Sequence, residues 1–163
     1  MTKEQKQIYE RYLERLRLKL IKKYDELGLR ASGDFERSLE PEVKDSAMTM
    51  WGAPHSWYME HGRRAGGWPP RKAIEDWIDV KQGLPAIFRE KKKQYAFLIA
   101  RKIAQEGIKV PNEHNAGKVI SAVVNDFLAN DIYEMLQELG DVWLSQIRAD
   151  VVGILQNTFT KAA

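Results

Sequence analysis

Cysteine is absent from this chain, and histidine occurs only three times, at His55, His61 and His114. Without cysteine there is no disulfide framework and no thiolate chemistry. No histidine has a second histidine or a carboxylate at a metal-ligand spacing such as H-E-x-x-H, so no metal or other cofactor is expected. Ser32 and Ser38 lie in no G-x-S-x-G elbow. Gly66-Gly67 is not followed by the Lys-Ser or Lys-Thr of a phosphate-holding loop. No apolar run approaches the roughly eighteen residues of a membrane span. The first twenty residues carry charge throughout, unlike a signal peptide, so synthesis in the cytoplasm is the simplest expectation. A small enzyme assembled from Glu60, His61 and Asp76 is the weakest of the alternatives, because no triad-like pattern backs it. The expectation is a protein that is not an enzyme.

What is present is an ordinary globular composition. The 163 residues suffice for one domain with a single core. Hydrophobic content of 44% with 30% charged residues excludes a disordered chain. The net charge of +3 is unevenly spread. Residues 3–23 and the span from Arg63 to Lys109 are basic; the segment from Asp25 to Glu60 and the part beyond Glu113 are acidic. Such asymmetry suits a polyanion, or the basic face of one copy against the acidic face of the next, although surface charge of this size is also common on proteins that do neither.

The periodicity predicts an α+β fold: a small antiparallel sheet packed against a long N-terminal helix and further helices, with a long C-terminal helix. One domain covers residues 1–163, divided into an N-terminal helix (1–28), a strand region (33–60), a Gly/Arg/Trp-Pro-Pro loop (61–70), helices (71–107) and a C-terminal helical region (118–159). Thr2 and Gln5 have the form of a capping box. Tyr9, Leu13, Leu16, Leu20, Tyr24 and Leu27 then recur at spacings of three and four, before Gly28. Phe35, Leu39 and Val43 read as one side of a strand, with Pro41 marking an edge. Asp45 and Ser46 turn the chain into a second strand, Ala47 to Trp51, and Trp57 to Glu60 reads as a third. Pro70 can open a helix whose buried face holds Ile74, Trp77 and Ile78. After Pro85 a longer helix runs from about Ile87 to Glu106. Residues 118–127 fit either a strand or a helix, with the balance towards helix. Ile132, Leu136, Leu139, Trp143, Ile147, Val151, Ile154 and Leu155 form one long stripe, with Asp131 and Glu134 placed to cap its start.

The stretch from Trp57 to Gly83 supplies shape rather than chemistry. Arg63 and Arg64 stand beside Trp68, Pro69 and Pro70 in a stiff, aromatic, positively charged loop. Tryptophan is favoured as an interface anchor, so Trp68 is the leading candidate for a contact with another subunit; folding back onto its own domain is the equal alternative. Trp77 and Trp143 lie on helical stripes and are expected in the core. Lys91, Lys92 and Lys93 before Tyr95 could meet a phosphate backbone, or form a solvated helix face. No helix-turn-helix, zinc finger or RNA-binding module accompanies them, so specific base reading is not expected.

These residues stand in a suggestive order: Ser32-Gly33 before a strand pattern, Tyr-x-x-x-Gly-Arg from Tyr58 to Arg63, Gly-x-Pro-Pro from Gly67 to Pro70, Ile-x-x-Trp-Ile from Ile74 to Ile78, and Ala-x-x-Ile-Ala-Arg-Lys-Ile from Ala96, ending at Gly107. Over roughly Tyr9 to Pro111 the chain resembles the tail-component, or tail-completion, proteins of the head-tail connector and neck of tailed double-stranded-DNA bacteriophages. The long, tryptophan-bearing C-terminal helix departs from that pattern. The resemblance implies a structural virion protein, synthesised in the host cytoplasm, that forms a homo-oligomeric ring without cofactor or membrane. It implies portal or adaptor and tail tube or tail terminator proteins as partners, with the ring surrounding the DNA path. Arg63, Arg64, Trp68, Pro69 and Pro70 would then form the subunit interface, and Lys91, Lys92 and Lys93 would face DNA. The alternative is a sequence-nonspecific DNA-binding protein that uses its basic helix faces.

Overall fold

Thr2 starts the first helix as its spacing predicts. Its hydroxyl accepts from the Gln5 amide at 3.2 Å, while the Gln5 side chain accepts from the Thr2 amide at 2.9 Å. A computed structural model describes residues 1–44 and 47–161. Helix α1 (Lys3–Glu26) is the spine of the molecule. It is followed by α2 (Asp34–Ser38), strands β1 (Glu40–Lys44) and β2 (Ala47–Trp51), and α3 (His55–His61). Then come α4 (Arg71–Val80), α5 (Ala86–Glu90), α6 (Lys92–Glu106), α7 (Val119–Asp126), a π turn (Phe127–Asp131) and α8 (Ile132–Lys161). The fold is α+β, with one antiparallel pair in register Glu40 to Trp51 and Lys44 to Ala47. The expected turn at Asp45 and Ser46 lies outside the described residues.

Three apolar clusters hold these elements. Ile8 and Tyr12 pack on Phe127, Met135, Leu139 and Val142, which joins the first half of α1 to the π turn and α8. Leu20 and Tyr24 pack on Phe35, Leu39, Val119 and Val123, which joins its second half to α2 and α7. Ile74 and Ile78 meet Ala96 and Ala100, so small residues let α4 approach α6 closely. Each fully buried Leu or Ile contributes about 1.5–3 kcal/mol. Lys81 ties the third cluster to the spine, donating to the Gly28 and Arg30 carbonyls at 2.7 and 3.2 Å.

Several expectations need correction. Phe35 lies in a helical turn, not a strand. A spacing of four between Phe35 and Leu39 satisfies both periods, and the helical one wins because Arg37, which a strand would place on the same side, is exposed. Trp57 to Glu60 is also helical, since Trp57 and His61 stack one turn apart with ring centres 4.0 Å from each other. The helix after Pro85 breaks at Lys91, which folds Phe88 back onto Tyr95 at 4.2 Å. Residues 119–126 need no correction: they are helical, the side to which the pattern leaned. Asp131 caps nothing, because the chain is already helical before it; the π turn instead aims it at α1. Trp77 and Trp143 are not core: they are 38% and 61% exposed.

Candidate assembly surface

Two glycines hold the arginine-tryptophan loop against the body of its own chain. Gly62 ends α3 with φ 74° and ψ −166°, and Gly107 ends α6 with φ 74° and ψ −163°. Both angles lie in a region that only glycine enters readily. The chains leaving them lie side by side: the Arg63 amide donates to the Ile108 carbonyl at 2.8 Å, and the Ile108 amide returns the bond at 2.7 Å. The Gly66 amide donates to the Ala104 carbonyl at 2.8 Å, and the Arg63 guanidinium closes the loop by donating to the Gly67 carbonyl at 3.0 Å.

The loop is therefore a fixed ledge on the end of α6, not a free projection. Trp68 rests one face on Phe97, with ring centres 5.7 Å apart, yet remains 54% exposed. It folds onto its own domain and still offers an aromatic face outward. Pro69 is half-buried; Pro70, immediately before α4, and Arg64 are exposed.

Arg63 and Arg64 also line an open cleft of about 780 Å³ with Trp57, Tyr58, His61 and Lys109. Its lining contains no carboxylate. Lys109 was not singled out in the sequence because it joins the cleft only through the Arg63–Ile108 bridge, a contact between residues far apart in the chain. The lysine triplet lies elsewhere on the chain: Lys92 donates to Asp79 at 2.6 Å, while Lys91 and Lys93 are exposed.

Part of the positive charge of α1 is paired with carboxylates on α7, the π turn and α8. Arg15 donates to Asp131 at 3.0 Å and to Glu134 at 2.7 Å, Lys19 bonds Asp131 and Asp126, and Arg11 bonds Glu138. Burial opposes charge on Asp131, but the hydrogen bonds from Lys19 and Arg15, with their charges, outweigh it and hold its carboxyl below the ordinary range.

Glu60, His61 and Asp76 are not joined by any hydrogen bond among the described residues. Glu60 instead receives the Ile120 and Ser121 amides at 2.9 and 3.3 Å, anchoring α3 to the N-terminus of α7. Its burial is outweighed by the Ser121 hydroxyl, these amides and His61, so its carboxyl is held low. Asp76 pairs with Lys72 at 2.5 Å. No group of three or more metal-ligating side chains occurs among the described residues, and no described helix is long and apolar enough to cross a membrane. Comparison with known proteins finds no family model, no curated protein and no solved structure that matches the chain.

Proposed function

We propose that this protein is a structural subunit of a tailed double-stranded-DNA phage particle. Identical copies form a ring at the head-tail junction or tail end, joining the capsid connector to the tail and surrounding the DNA path. Its neighbours are portal or adaptor proteins on one side and tail tube or terminator proteins on the other. The observation that carries this reading is the exposed Trp68–Phe97 pair on a loop already fixed by backbone bonds. An aromatic anchor held in place before docking loses little conformational entropy on burial, which suits an interface more than a free surface. The large apolar side chains left in water at Trp51, Trp57 and Trp143 point the same way.

The test is Trp68→Ala in the phage, with the purified chain in parallel. The expected result is loss of rings or completed particles by electron microscopy while the far-ultraviolet spectrum and thermal midpoint stay unchanged. Normal assembly by the variant would overturn the assignment of this surface.

The cleft of Trp57, His61, Arg63, Arg64 and Lys109 supports a second reading, nonspecific contact with DNA, because stacking faces and cations stand together without an acid. A gel shift that weakens steeply with salt and is lost in Arg63→Ala/Arg64→Ala would support it. No retardation at low ionic strength would remove it.

A further inference from the structure

Helix α8 carries two apolar faces side by side, and the body of the protein covers one of them. Met135, Leu139 and Val142 pack on α1. Next to them, over an arc of about 120° at 3.6 residues per turn, runs a second stripe. Its near seam is Leu136, Trp143, Ile147 and Ile154. Its far seam is Tyr133, Leu144, Val151 and Leu155. All eight are exposed. The stripe extends roughly 33 Å at 1.5 Å per residue and contains no charged side chain. Arg11–Glu138 and Arg15–Glu134 step along the two helices in opposite directions, which sets Lys3, where α1 begins, opposite Gln146. Helix α8 continues for several turns past that point.

We propose that this stripe is the seam on which a second copy of the chain docks, its own α8 lying alongside in the same direction. The proposal rests on the assembly reading above and names an element through which two copies join. Two observations select another copy. The exposed stripe amounts to roughly 800–1,000 Å² per chain, close to the ~800 Å² that each partner contributes to a standard interface. Over the C-terminal half of the stripe the charges at its borders are of opposite sign, Asp150 beside the near seam and Arg148 beside the far one, with Asp141 two turns before Arg148 on the same side. Helices packed in the same direction and in register bring near edge to far edge, so Arg148 of one copy meets Asp150 of the next; an antiparallel pair overlapping along the whole stripe would set Asp150 level with Glu138 and lose that pairing.

The test is sedimentation velocity of the full chain over a concentration series. The wild type should associate. Leu144→Glu/Val151→Glu should weaken association at least tenfold while keeping the same helical spectrum and thermal midpoint, since both positions are exposed in the single chain. Arg148→Asp should weaken it, and Arg148→Asp/Asp150→Arg should restore it. A monomeric wild type at every concentration, or unchanged association of the double glutamate variant, would overturn the seam; failure of the charge swap to restore association would overturn the parallel arrangement. If Trp68→Ala dissociates the assembly and the α8 variants do not, the ring stands and this seam falls. If α8 drives only a dimer, the seam stands and the ring falls.

Discussion

Replacing Gly62 with alanine should release the arginine-tryptophan loop from α6. The added Cβ would lie 2.1 Å from the Ile108 carbonyl oxygen, and the equivalent atom at Gly107 would lie 2.3 Å from the Arg63 carbonyl oxygen. Both obstacles are backbone, so neither can swing aside. Forcing a side chain into this conformation costs about 1–3 kcal/mol. Relieving the overlap breaks the two reciprocal Arg63–Ile108 bonds, about 1 kcal/mol each. The expected loss is about 3–5 kcal/mol for either substitution, a large share of the 5–15 kcal/mol typical of a domain. Because both glycines serve one bridge, Gly62→Ala/Gly107→Ala should cost less than the sum of the two by about 2 kcal/mol, the two Arg63–Ile108 bonds being lost only once. Urea unfolding followed by circular dichroism gives the energies, and hydrogen exchange at the Arg63 and Ile108 amides shows whether the bridge opens. Losses below about 1 kcal/mol with both amides still protected would refute this account of the loop. If it is right, Gly62→Ala should also impair assembly although Trp68 itself is intact.

Asp131→Asn should destabilise the chain by about 2–3 kcal/mol in urea, less than the ~3–5 kcal/mol for breaking a fully buried pair, because Arg15 keeps Glu134 and Lys19 keeps Asp126. Since the folded-state carboxyl of Asp131 is held low, its contribution is complete above about pH 4 and fades as acid protonates it. The wild-type unfolding midpoint should therefore fall below that pH, and the Asn variant should show a flatter acid limb; parallel limbs would count against the pair. Glu60→Gln should cost about 1 kcal/mol by weakening the anchor at the start of α7, with increased exchange at the Ile120 and Ser121 amides as its signature.

How far the sequence could be read varies from element to element. The capping box at Thr2 and the end of α1 before Gly28 were legible because both are set by residues within one turn of each other. The stripe on α1 was legible only as a direction: Ile8 and Tyr12 are buried although the pattern picked Tyr9 and Leu16, which are half-buried. Phe35 and Leu39 could be read either way because a spacing of four fits both periods. The opposite failure occurred on α8. Its stripe reads as core, yet only Ile132 and Leu139 of it, with the neighbouring Met135 and Val142, pack into the cluster against α1; Leu136 and the positions from Trp143 to Leu155 are exposed. Periodicity reports which side of a helix is apolar, not what lies against it.

Local signals thus settled the capped helix α1, the second strand Ala47 to Trp51, the run of glycine and proline around Trp68, and the absence of cysteine chemistry, since each depends on residue type or on neighbours a few positions apart. Tertiary structure alone decided that Arg63 lies against Ile108, that Asp131 turns inward to Arg15 and Lys19, and that Lys109 joins Trp57 in one cleft. Those contacts link residues some 45 to 116 positions apart, and no pattern within a single helix or turn encodes which distant segment will arrive beside it.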